Sequence, residues 1–139
     1  MYYNKDRLQT YRNKAQASIQ SANYGLDFYS MDIALNYSYV DVLNAFKYAI
    51  HSNEVLLRKY IDGFTFKQMH ALLYKPYDLY KYTDLLNTLY VYNSYTGLTG
   101  ELTDNYDYEF TEKTVDNATI LVNILLKDYP KEEALFDED

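Results

Sequence analysis

The chain has 139 residues, no cysteine, 19 tyrosines without a tryptophan, and a net charge of −7. That length suits one domain with a single core, and the lack of cysteine excludes disulfides, thiolate metal sites and cysteine nucleophiles. The acidic balance argues against broad binding along a nucleic-acid backbone, which needs a basic footprint.

No stretch approaches the roughly 18 apolar residues of a membrane span, and the N-terminal MYYNKDRLQTYRNK has no apolar signal core. A cytoplasmic location is therefore expected. Charge is unevenly spread: Lys5, Arg7, Arg12 and Lys14 outnumber Asp6 and Asp27 within residues 1–30, whereas the tail KEEALFDED is acidic. Tyrosine combines an apolar body with a polar tip, which suits half-buried positions, interfaces and stacking on a base.

Leu8, Tyr11, Ala15, Ile19, Ala22, Leu26 and Tyr29 recur at helical spacing and predict a first helix from Lys5 to Tyr29. Gly25 weakens its last turn. Asp32 and Asp41 are candidate N-caps for a second helix reaching Tyr60. Its stripe is Val42, Ala45, Phe46, Ala49, Ile50, Asn53, Leu56, Leu57 and Tyr60, and Gly63 stands where a stop belongs. Thr65 and Gln68 form a capping box for a short third helix, with Phe64 and Met69 at the hydrophobic-staple positions and Pro76 beyond.

A fourth helix is predicted over Asp78–Tyr92, facing inward through Leu79, Tyr82, Leu85, Leu86 and Leu89. TLYVYNSY is locally β-prone but continues that stripe. Residues 93–110, with Gly97 and Gly100, read as a long loop. A fifth helix over Thr111–Asp128 carries Val115, Ala118, Leu121, Val122 and Leu125. Ile120 and Ile124 add a second flank, so it is either central or covered by a partner. The pattern predicts an all-α fold: an antiparallel up-and-down bundle of four long helices plus one short one over residues 1–130, with a loose tail at 131–139.

Complete catalytic motifs are missing. Glu54 and Arg58 stand four apart, the spacing of a helix salt bridge; facing a cleft, the same arginine could grip a phosphate or carboxylate. His51 and Glu54 share a helix face, but no other predicted helix supplies the carboxylates of a di-iron bundle. No metal or cofactor is expected, and His51 reads as a surface or interface residue. His70, beside Met69 and Leu72, reads as a hydrogen-bonded structural residue, because acid–base work by a lone histidine needs a partner. Asn53, polar within an apolar stripe, reads as a residue that sets interface register. The Gly97–Gly100 segment has neither the lysine nor the preceding strand of a phosphate loop, and Asp104, Asp107 and Glu109 do not follow EF-hand spacing.

Glu54 and Arg58 in NEVLLRK, His70 before the leucine pair of HALL, and YVYNSY from Tyr90 to Tyr95 ahead of a helix opening FTEKTVDNA occur in a recognisable order. On these residues the chain resembles the HEPN (higher eukaryotes and prokaryotes nucleotide-binding) domains over about residues 5–128. The resemblance implies a helical bundle that often dimerises. It departs from the family's ribonucleases, in which a histidine follows an arginine after a short interval. Here Arg58 precedes His70 by 12 positions and no arginine lies nearer ahead of a histidine.

The resemblance thus implies a non-enzymatic module acting as a homodimer or beside a nucleotidyltransferase-type partner. A cleft at Glu54, Arg58, His70, Tyr90, Tyr92 and Tyr95 would receive a nucleotide or a partner segment. One alternative is a divergent ribonuclease toxin using His70 and Arg58. Another is a structural or host-interaction module of a mobile element or virus.

Overall fold

The computed structural model describes residues 5–52, 60–73, 82–96 and 107–128. These form five helices: α1 (Lys5–Asp27), α2 (Met31–His51), α3 (Phe66–Leu72), α4 (Thr83–Thr96) and α5 (Tyr108–Asp128). The protein is all-α, with no strand among the described residues. Three helices are long, at 23, 21 and 21 residues, whereas α4 has 14 and α3 has 7.

In α1 the expected stripe is buried at Leu8, Ala15, Ala22 and Leu26, with Tyr11 and Ile19 half-buried. It does not extend to Tyr29, which leaves the helix at φ +56° and is 77% exposed. The helix closes in a Schellman pattern: Ser30 N–H donates to Gly25 O at 2.7 Å and Tyr29 N–H to Leu26 O at 3.0 Å. Ser30 also opens α2, its Oγ accepting from Ile33 N–H at 3.4 Å. The N-cap is thus neither Asp32 nor Asp41. Asp32 lies in the first turn and Asp41 in the buried middle of the helix.

One residue, Ser30, thereby serves both helices, and the turn is so short that α1 and α2 pack along their length. Gly25 sits against Ala34, where an added Cβ would lie 2.5 Å from the Ala34 nitrogen. The glycine tolerated at the level of helix propensity is required at the level of packing. Tyr29 and Tyr108 rings meet at 5.2 Å, while Arg12 Nη1 donates to Leu126 O at 3.3 Å. These two contacts run α1 antiparallel to α5.

The central helix is α2, which touches all four others. That position explains burial on nearly every side, from Leu35 and Val42 to Phe46, Tyr48 and Ile50. By contrast, Ile120 on the second flank of α5 is half-exposed. Helix α2, predicted to reach Tyr60, is described as far as His51, and Ser52 N–H donates to Tyr48 O at 2.9 Å. Leu56 and Leu57 lie outside the described residues, and Tyr60 is non-helical and exposed.

Gly63, at φ +85°, turns the chain into α3. The capping box there is complete, with Thr65 Oγ1 accepting from Gln68 N–H at 3.1 Å and Gln68 Oε1 accepting from Thr65 N–H at 2.8 Å. Helix α4 buries Leu85 and Leu89, with Tyr82 buried just ahead of it, and continues through Thr96, so the β-prone YVYNS segment is helical. Helix α5 starts before Thr111 because Asp107 caps it, accepting from Phe110 N–H at 2.7 Å. Its buried stripe is the expected one: Val115, Ala118, Leu121, Val122 and Leu125.

Candidate functional site

Tyr39, Leu43, Lys47 and His51 recur every four residues along α2 and so form one row on the helix. The row borders two adjoining clefts. The first, about 350 Å³, lies between Tyr39, Leu43 and Lys47 on one side and Phe64, Met69 and Tyr90 on the other. Segment 61–65, α3 and α4 therefore each contribute to its wall. The second, about 270 Å³, is lined by Arg7, Tyr11, Lys47, His51, Tyr60 and Asp62. Lys47, Ile61 and Asp62 belong to both.

The walls of the first cleft are aromatic and rigidly backed. Phe66 stacks on Phe46 at 5.6 Å and tilts against Tyr39 at 5.2 Å, tying α3 to α2. Burial raises the pKa of the Tyr39 phenol, so it remains a neutral hydrogen-bonding group. Tyr90, 52% exposed, stands at the rim.

Tyr11 organises the second cleft. Arg7 Nε donates to its hydroxyl at 2.8 Å, and the guanidinium carbon lies 5.6 Å from the ring centre. Lys47 Nζ lies 5.9 Å from the same ring, and the His51 imidazole stacks on it at 5.8 Å. His51, expected at the surface or in an interface, is 4% exposed and so is not a surface residue. The reason is that α1 crosses the end of α2 and lays Tyr11 over it.

Of the residues expected to line a cleft, His70 and Tyr90 have described side chains. Tyr90 lines the first cleft, but His70, half-buried in α3, lines neither. Asn53, Glu54 and Arg58 lie outside the described residues. Tyr92 and Tyr95 belong to α4, with side chains outside the described set. The row 39–43–47–51 was visible as an i, i+4 pattern. It was hidden because Tyr39, Lys47 and His51 flank an apolar stripe and resemble its ordinary polar border.

No group of three or more histidine, aspartate or glutamate side chains among the described residues could hold a metal. No described helix is long and apolar enough to cross a membrane. The clefts join flat aromatic walls to cationic groups, an arrangement suited to binding a molecule with a planar body and an anionic end. Comparison of the chain with models of known protein families, with curated proteins and with solved structures finds no significant match.

Proposed function

We propose that the chain is a non-enzymatic binding module, similar in plan to the HEPN bundles, whose aromatic cleft receives a nucleotide. In this reading the four longer helices make an up-and-down bundle, which acts as a homodimer or beside a nucleotidyltransferase-type partner. The observation that carries the ligand is the cleft of about 350 Å³ between the α2 row and Tyr90. Its volume falls within the range of about 300–1,000 Å³ typical of small-molecule sites. Tyr39 and Tyr90 supply faces for a base and Lys47 a charge for its anionic end. The ribonuclease alternative gains nothing from this cleft, because His70 is not on its wall.

Thermal unfolding with a panel of nucleotides tests the ligand. A nucleotide at about 100 times its Kd should stabilise the fold by about 2.7 kcal/mol, and Tyr90→Ala should remove that gain. Indifference of the wild-type chain to every nucleotide would overturn the reading.

A further inference from the structure

Residues 61–64 form a turn at the place where the two clefts adjoin. Phe64 N–H donates to Ile61 O at 3.0 Å, and Gly63 takes φ +85° at the third position, a conformation that favours glycine. Ile61, 3% exposed, anchors the turn in the core, and Phe64 is half-buried. Asp62 is thereby held on a backbone fixed from both sides while its own side chain stays exposed. Asp62 and Lys47 each line both clefts. They carry opposite charges, yet no ion pair joins them. An ionised carboxylate only accepts hydrogen bonds, and an ammonium only donates them. A ligand lying over the junction therefore meets an acceptor and a donor that do not satisfy each other.

We propose that Asp62 is the ribose contact of the nucleotide site, its carboxylate oxygens accepting from the 2′ and 3′ hydroxyls, so that the chain selects ribonucleotides over deoxyribonucleotides. This assignment deepens the nucleotide reading above and rests on it. A base among the aromatic walls of the first cleft leaves its sugar at the junction, because the sugar is the next group along the ligand. The cis hydroxyls are neutral donors that a carboxylate accepts from, whereas a phosphate against Asp62 would bring two anions together. The phosphate accordingly turns to Lys47 and the diol to Asp62. Two O–H groups then meet two oxygens in charge-assisted bonds, a fit that a single hydroxyl cannot complete. Aspartate also suits a tight turn for purely local reasons, as asparagine does, and the variants below separate the two roles.

Titration calorimetry on the full chain compares the common ribonucleoside 5′-monophosphates with their 2′-deoxy counterparts. Each ribonucleotide that binds should do so about tenfold more tightly than its deoxy form, the lower end of the scale for a hydrogen bond to a charged group. The lower end applies because Asp62 is exposed to solvent. Asp62→Asn, which keeps the turn chemistry, and Asp62→Ala should both erase that preference and leave deoxynucleotide affinity unchanged. Tyr90→Ala, on the base side of the site, should weaken both forms alike and preserve their ratio. Equal binding of the two forms, tighter binding of the deoxy form, or a preference that survives both Asp62 substitutions would overturn the ribose contact and leave the aromatic cleft standing as a nucleotide site. If no nucleotide binds, the nucleotide reading and this assignment fall together.

Discussion

Asp41 is completely buried in the middle of α2, and neither carboxylate oxygen has a hydrogen-bond partner among the described residues. Ser38, nearly one turn earlier, is buried with its hydroxyl in the same condition. Burial away from water disfavours the ionised acid and pushes its pKa up to about 8; the neighbouring Val42 amide offsets this only in part. In the unfolded chain the same group ionises near 3.9. Between those values the native state keeps a proton that the unfolded state releases, so this residue's contribution to stability falls as pH rises. The loss is about 1.4 kcal/mol per pH unit, ending where the native group also ionises. Asp41→Asn has no proton to keep. Its stability relative to wild type, from urea unfolding, should therefore rise between pH 5 and pH 8; a constant difference would mean that the native carboxyl is not held neutral.

Tyr29 is the other unusual residue. A side chain with a Cβ at φ +56° is strained, and glycine is the ordinary occupant of this helix-ending position. Tyr29→Gly should stabilise the fold by roughly 0.5–1 kcal/mol in thermal or chemical unfolding. If it destabilises instead, the ring contact with Tyr108 outweighs the backbone strain.

At the scale of elements, the α1–α2 hairpin is the most closely packed unit, and Gly25 is its limiting point. Gly25→Ala would gain helix propensity in isolation, by up to about 1 kcal/mol. Within the fold the new Cβ would meet the Ala34 backbone, which cannot rotate away. Overpacking of this kind typically costs 1–3 kcal/mol, so packing decides the sign. Net destabilisation of about 1–2 kcal/mol is expected in urea unfolding, and a more stable variant would show that the helices can part without loss. The stripes of α1, α4 and α5 and the capping box of α3 were legible beforehand because each depends on residues three or four apart. The end of α2 at His51 was not legible, since the apolar spacing continues past it.

At the scale of the molecule, two surfaces lie toward opposite ends of α1. The clefts adjoin Arg7 near its start. At its other end Phe28 and Tyr29 are each 77% exposed, with Ile33, Tyr108 and Phe110 also exposed on the adjoining first turns of α2 and α5. Clustered apolar exposure of this kind commonly marks an interaction surface. For the homodimer proposed above, a second copy meeting this aromatic end would leave both clefts open. Light scattering should then give a dimer mass for the wild type and a monomer mass for Phe28→Asp, with nucleotide affinity unchanged. A wild-type monomer would reject the self-association, and a coupled loss of affinity would reject the separation of the two surfaces.

Apolar periodicity and local capping by themselves determined the helical class, three of the buried stripes and the start of α3, because those signals act within one or two turns. Tertiary structure alone decided that α2 is central, that Asp41 is buried with no hydrogen-bond partner among the described residues, and that Tyr11 gathers Arg7, Lys47 and His51. Each of these depends on which remote segment lies against a given face. Spacing along the chain shows that a face exists, but only packing determines what meets it.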